Sequence, residues 1–333
     1  MNWRTASAFG VVGLLWGSAW IPSSIVLPRV PGFRAGALRF AIAAAFVTLL
    51  ALAKSLRADK QSRGRLASTL GPSFVLGVTA VAGPYTLMMF AAGEVSSGVV
   101  ATLLAVMPLA TLFTGGEGSS RAIPALVIGI GGVAMLVAQG LSTSTAQIEG
   151  AVLIAIAVAL SAFSLNYAQR RMRQLDLLTS VAIQFAVAAI LLGGLSAMIE
   201  HRESIAWSGQ VVLAVLVLGI AVSGVTLPLM YWLLTKLEAW QVAALQWTAT
   251  LTAVAQAAWF LRAKPSAEMW VGVCMIVGAT FWLLRAGGDS PQEAVTLQIT
   301  NRSVERSTTS ESEVGSKIDL KQVSQSRRMA DRQ

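Results

Sequence analysis

Residues Phe33–Phe46 read FRAGALRFAIAAAF, and a second apolar stretch of the same character, TSVAIQFAVAAILL, occupies Thr179–Leu192. At a separation of 145 positions, Ala37, Phe40, Ala41, Ala43 and Ala44 meet the identical residues Ala182, Phe185, Ala186, Ala188 and Ala189, while Arg39 meets Gln184. Self-similarity at a fixed offset in an apolar chain predicts two structural repeats with a site where they meet. Chance matching between alanine-rich helices is the competing reading. Arg39 is the one buried-looking charge in the match, and a neutral amide stands opposite it in the second copy.

The 333 residues are 55% apolar and 12% charged, too hydrophobic for an ordinary soluble globule. The chain therefore reads as an all-α integral membrane protein. Ten stretches are long enough to cross about 30 Å of hydrocarbon at about 1.5 Å per residue. They fall near 7–26, 33–53, 70–92, 95–114, 121–139, 148–168, 177–198, 210–234, 239–261 and 267–285. The predicted organisation is two five-helix repeats, over 1–140 and 146–285, and a disordered tail over 286–333 that is rich in Ser, Thr and charge. The first stretch follows Arg4 as a signal peptide would, but it is long and nine more follow, so it reads as a retained helix.

The net charge of +9 does not point to nucleic acid. Beyond Arg285 seven basic residues balance seven acidic ones. With the N-terminus inside, twelve Lys and Arg fall on the cytoplasmic side, among them the run from Lys54 to Arg65, and five fall outside. That bias selects both termini inside. Asn301-Arg302-Ser303 fits a glycosylation sequon, but in a cytoplasmic tail it would not meet the enzyme.

Along the chain, Pro22 predicts a kink in the first span after Trp16-Gly17-Ser18-Ala19-Trp20, either as a cavity wall or as packing and interfacial anchoring. Its counterpart, Ala159–Gln169, offers Ser161, Ser164, Asn166 and Tyr167. Span three carries Gly83, Pro84 and Tyr85 before the short link Gly93-Glu94-Val95, and span eight carries Pro228, Tyr231 and Trp232. At an offset of 142, Leu104-Ala105 face Gln246-Trp247 and Pro108 faces Thr250. Glycines at 129, 131 and 132 in span five and at 272 and 278 in span ten predict close helix packing. Cys274 reads as a small core residue of span ten, and His201 as a solvated loop residue.

Trp16-Gly17-Ser18, Arg39-Phe40 with Ala43, Pro108, and Gly116-Glu117 before span five, in that order, resemble the EamA-type branch of the drug/metabolite transporter superfamily over residues 7–285. The resemblance implies ten helices in two inverted repeats, a central cavity lined mainly by the first four helices of each half, and metabolite transport, often export. The second half departs from the pattern, with Arg262-Ala263-Lys264-Pro265 where a Gly-Glu pair is usual and no proline in span nine.

No Asp or Glu falls in mid-span, so carboxylate-based proton coupling has no obvious carrier. An intramembrane enzyme needs paired acids, a His-Glu metal motif or a serine with its base, and none stands within the spans. No cofactor is expected. A membrane sensor or scaffold stays open as the other class. Arg39 is the exception, a cation about two turns into span two, where insertion costs about 2.5–3.5 kcal/mol unless it meets a partner or water. Two readings fit it: an anion contact in the cavity, or snorkelling and capping of helix carbonyls. The candidate substrate-binding set is Trp16, Ser18, Trp20, Arg39, Tyr85 and Met107, with Asn166, Gln184, Tyr231, Gln246 and Trp247 from the second half. Large rings with a few hydrogen-bonding groups suit an apolar-bodied, polar-ended metabolite such as an amino acid or organic anion. The function expected is alternating-access export of such a solute, in the bilayer of a bacterial inner (plasma) membrane.

Overall fold

A computed structural model of the chain describes residues 3–56, 66–95, 97–115, 123–137, 145–171, 175–261 and 267–286. The proposed tail from Gly287 onward, Gly116-Glu117, Arg262–Pro265 and the basic run from Arg57 to Arg65 lie outside the described residues. The described residues form fifteen α-helices and no strand. In order these are α1 (Trp3–Gly17), α2 (Trp20–Val26), α3 (Gly32–Ser55), α4 (Leu66–Leu76), α5 (Gly83–Ala91), α6 (Ser97–Ala105), α7 (Met107–Gly115) and α8 (Ile123–Val137). There follow α9 (Thr145–Arg171), α10 (Leu177–Ile199), α11 (Gly209–Val217), α12 (Thr226–Leu234), α13 (Ala239–Ala243), α14 (Leu245–Leu261) and α15 (Ala267–Ala286). π-Helical stretches, Gly77–Ala82 and Leu218–Val225, join α4 to α5 and α11 to α12. Six runs are long and apolar enough to cross a membrane: Trp3–Val26, Gly32–Ser55, Ser68–Ala91, Thr145–Arg171, Leu177–Ile199 and Gly209–Leu234. Shorter apolar helices cover Leu103–Gly115, Ile123–Ala134 and Trp270–Leu283.

Proline sets most of the breaks. Pro22 has no N–H for the Ser18 carbonyl, and its ring crowds that oxygen. Accordingly α1 stops at Gly17, the chain turns through Ser18–Ala19, and the Ile21 N–H reaches Ser18 O at 3.2 Å. Four residues before Pro84 and Pro228 stand Ala80 and Gly224, each inside a π-helical stretch. There the ladder widens around the lost bond, and the Gly83 N–H reaches back to Val78 O. Pro108 follows the break at Val106, whose N–H turns to Leu103 O at 3.1 Å. The second half has Thr250 in place of Pro108, yet its helix is also broken, at Ala244 between α13 and α14.

Between apolar helices in lipid no hydrophobic force favours one partner over another, so packing and polar pins decide. The most extensive helix pair, α3 with α10, is pinned at both ends. At one end the Glu200 carboxylate accepts the Phe33 N–H (2.8 Å) and the Arg34 N–H (2.9 Å), capping the start of α3. The Arg34 guanidinium then closes over that end, donating to Ser196 Oγ, Glu203 O and Glu200 O at 3.2, 2.9 and 2.8 Å. At the other end Asp176 caps α10 by accepting from Thr179 N (3.1 Å) and Thr179 Oγ1 (2.8 Å), and it pairs with Lys54 of α3 at 2.9 Å. The helices are therefore antiparallel. Between the pins, fully buried Ala43 and Ala188 let the backbones approach, and the Phe40 and Phe185 rings stack at 5.7 Å.

Each member of the pair also holds a π-helical stretch: α3 packs on Leu218–Val225, and α10 on Gly77–Ala82. Around them α1 lies on α14, and α9 lies on α5 and α7. A Cβ at Gly17 would collide with Ala249 O and the Thr252 side chain, so α1 sits flush on α14 only because that residue is glycine. α8 pairs with α15 through Gly132, which faces the Gly272 carbonyl and Ile276. Cys274 corrects the sequence reading: it is exposed, because α15 turns Ile276, Ala279 and Leu283 inward and Cys274 lies off that stripe. His201 is exposed on its loop, as the sequence reading has it.

Partial burial pushes the Asp176 carboxyl up, but hydrogen bonds from Lys54 and from the Thr179 N–H and hydroxyl more than offset this, so it titrates below the ordinary carboxylate range. A carboxyl with a lowered folded pKa stabilises above its unfolded value of about 3.9, and that contribution disappears as pH falls through the folded value. Asp176→Ala is expected to lower stability by about 1 kcal/mol at pH 7, mostly through the lost cap, because solvent screens the exposed Lys54. The melting temperatures of mutant and parent in detergent should begin to converge as pH falls past about 3.9 and meet only below the lower folded value. Equal melting temperatures at pH 7 would refute the cap.

Candidate functional site

The break in the first helical run and the π-helical stretch before α12 bring two of the predicted residues together. The indole N–H of Trp16 donates to Thr226 Oγ1 at 3.0 Å, and that hydroxyl in turn donates to Val222 O. Arg39 Nε donates to Ser223 Oγ at 2.7 Å. Ser223 on the widened turn and Thr226 at the start of α12 stand three residues apart, so the ring from α1 and the cation from α3 converge on one polar ledge. Arg39 is half-buried, forms no ion pair among the described residues, and has no described hydrogen-bond partner for its two terminal amino groups. Its Nε holds a side-chain hydroxyl rather than a helix carbonyl.

Behind the guanidinium is an aromatic wall. Its carbon lies 5.4 Å from the Phe40 ring centroid. Phe40 meets Tyr85 edge to face at 5.4 Å and stacks on Phe185. The Tyr85 ring lies over Gly36, and its hydroxyl donates to Gly32 O at 3.1 Å. Rings at these separations favour one another beyond their buried area.

The counterpart of Arg39 is placed differently. Gln184 is fully buried, its oxygen accepts from the Tyr231 hydroxyl at 2.6 Å, and its amide nitrogen donates to Ser180 Oγ at 3.1 Å. Ser73 Oγ donates to Ser180 Oγ at 2.7 Å. Gln184 and Tyr231 are thus spent on each other inside a closed, neutral chain, whereas Arg39 keeps donors in hand.

The remaining candidates separate by role. Asn166 ties α9 to α7, its amide nitrogen donating to Thr111 O and Thr114 Oγ1, each at 2.9 Å. Trp247 is fully buried, and its indole N–H donates at 3.0 Å to Ala105 O, the carbonyl at the break between α6 and α7. Met107 is buried in the same core. Gln246 is half-buried, with no described partner for its side chain. Ser18 Oγ donates to Leu14 O at 2.7 Å, and the buried Trp20 Nε1 has no partner among the described residues. Ser223, Thr226, Ser180 and Thr114 do not figure in the sequence-derived set. The signal for the first two was a hydroxyl within about a turn before a proline, where the backbone must widen.

A family model described as the EamA-like transporter family matches residues 5–138 and 148–285. Protein PagO of Salmonella typhimurium is 26% identical over 217 residues, covering 63% of this chain and 70% of its own. A solved crystal structure superposes with a TM-score of 0.71 at 19% identity, covering 87% of this chain and 100% of its own, which establishes likeness of fold.

The Tyr231–Gln184 pair gives a direct test. Tyr231→Phe leaves a buried amide oxygen without a donor, and we expect it to cost about 1–2 kcal/mol in unfolding from detergent. In a Gln184→Leu background the same change should cost almost nothing. Additive losses in the double mutant would mean that the pair is not coupled.

Proposed function

The chain belongs to the EamA-like transporter family and is a multi-pass integral membrane transporter of the drug/metabolite type; from that premise we propose that it exports small organic metabolites bearing an anionic group, by alternating access of two inverted five-helix repeats. Read across the breaks at Ser18, Val106 and Ala244 and the two π-helical stretches, the fifteen helices group into ten runs, in keeping with ten crossings. Two contacts support a two-fold relation between residues 1–140 and 146–285. Phe40 stacks on Phe185, its match 145 positions on, and Ala105 accepts from Trp247, its match 142 positions on. A residue that touches its own counterpart lies beside the axis relating the two. The packing is reciprocal as well: α3 holds the π-helical stretch of the second half, and α10 that of the first. Members of this family are transporters rather than enzymes, in keeping with spans that carry no acid pair.

The observation that carries the substrate class is Arg39. A cation within a span, anchored through Nε to a neutral hydroxyl and uncompensated by any described carboxylate, is an expensive placement unless an anion visits it. The two free amino groups can grip a carboxylate through parallel hydrogen bonds, and the Phe40–Tyr85 wall offers an apolar body its surface. Gln184, already satisfied, supplies no second charge site, so one charged end is bound. The solute's apolar body would rest near Trp16, with Trp20 and Gln246 as further hydrogen-bonding groups.

In proteoliposomes, a broad panel of amino acids, organic acids and sugars should reveal flux of an anionic or zwitterionic solute. Arg39→Lys is expected to slow it about tenfold, the cost of one lost charge-assisted hydrogen bond, and Arg39→Gln to nearly abolish it. If both variants transport normally and lose only thermal stability, the anion reading falls. For the orientation with both termini cytoplasmic, from the twelve-to-five basic bias, a reporter active only outside and fused after Arg285 should stay silent. A strong signal would invert the topology.

A further inference from the structure

Gln256 of α14 makes a contact that the site above does not use. Its amide nitrogen donates to Ser18 Oγ at 2.5 Å, joining α14 to the break between α1 and α2. The single hydroxyl proton of Ser18 is committed to Leu14 O, so Ser18 can only accept, which fixes the orientation of the amide. Gln256 Oε1 is consequently buried with no partner, one of two such side-chain atoms among the described residues; the other is Trp20 Nε1, two residues beyond Ser18. An unsatisfied oxygen is costly in a low-dielectric setting. The contact thus holds two elements together while leaving a polar group waiting.

The other half carries a matching contact. Thr114 and Gln256 stand 142 positions apart, the separation that also relates Ala105 to Trp247. Thr114 Oγ1 accepts from Asn166 of α9, the same amide reaches Thr111 O, and Arg170 Nη2 of α9 donates to Gly115 O at 3.0 Å. Both contacts join the two halves, Ser18 to Gln256 and Asn166 to Thr114. In the orientation proposed above the first lies toward the outer face and the second toward the cytoplasm. They are unequal: three donor contacts close the inner one, and a single donor with an unpaired oxygen closes the outer one.

We propose that Gln256 is a positioning residue for transport, the outer latch of the cycle with Ser18 as its catch, and that Asn166 with Arg170 forms a stronger inner latch, so that without solute the outer side opens first. The assignment rests on the alternating-access reading. Outer opening frees Gln256 Oε1 and Trp20 Nε1 to meet water or the solute's neutral hydrogen-bonding groups, relieving the penalty that the closed contact carries. Inner opening must break more bonds and is therefore the rarer event in the empty protein.

Side-specific thiol labelling tests this without any transported solute. In full-length Cys274→Ser protein in sealed vesicles, a reporter Ala19→Cys reads outer opening and a reporter Ala110→Cys reads inner opening, each with a membrane-impermeant maleimide. Gln256→Leu and Ser18→Ala should each speed outer labelling about fivefold, the population shift expected from one lost hydrogen bond, and the double mutant no further. Gln256→Asn, too short to reach Ser18, should do the same and serves if the leucine variant folds poorly. Asn166→Leu should instead speed inner labelling and slow outer labelling. Unchanged rates in the Gln256 variants, or additive effects in the double mutant, overturn the latch. Shifted labelling with no flux in the solute panel upholds the latch and sinks the transport reading; flux with unshifted labelling does the reverse.

Discussion

Inside hydrocarbon, a backbone donor without a partner costs several kcal/mol, and no hydrophobic gain distinguishes one helix neighbour from another. The α3–α10 pair meets both constraints at once. Glu200 takes two of the orphan N–H groups at the start of α3, and Asp176 takes one at the start of α10 while holding Lys54 from the far end of α3. Both ends of α3 are thereby held by residues flanking α10, which sets both register and direction. With that register fixed, Phe40 meets Phe185, and each helix lies against a π-helical stretch of the opposite half. The site inherits its geometry from this arrangement, because Arg39 precedes Phe40 and its hydroxyl partner lies on the stretch that α3 holds.

The asymmetry within the pair is where chemistry departs from scaffold. At matched positions one side chain is cationic, half-buried and short of partners, and the other is a neutral amide closed into a chain from Tyr231 to Ser73. Two arginines at this depth would double the insertion cost and place like charges near the stacked rings. Two glutamines would leave no charge at this depth. One of each leaves a single charge at the matched positions.

Much of this was legible in the residues. Apolar runs gave helices, Pro22 placed the break at Ser18, Pro84 and Pro228 marked the widened turns, and Trp16-Gly17-Ser18 with Arg39-Phe40 carried the family. Most of what escaped the sequence shares one physical cause, that the partners are remote. Arg39 finds Ser223 across 184 positions, Gln184 finds Tyr231 across 47, and Glu200, which reads as an ordinary loop acid, caps a helix begun 167 residues earlier. The break at Ala244 has no proline to announce it. Cys274 was misplaced because lipid is as apolar as the core, so hydropathy alone does not tell the outward stripe of α15 from the inward one.

The Glu200 cap has a consequence for how the protein is made. A ribosome adding about 5–20 residues per second needs roughly 8–30 seconds to travel from Phe33 to Glu200. Throughout that interval α3 exists with its first amides uncapped. Trp16 waits longer, for Thr226 at a separation of 210, and Ser18 longer still, for Gln256 at 238. The early helices therefore enter the bilayer with polar groups that only later synthesis can satisfy. Until then water at the insertion machinery, or a chaperone that shields them, must stand in for partners not yet translated, and a chain cut short before Glu200 would present quality control with an unpaired helix end rather than half of a transporter.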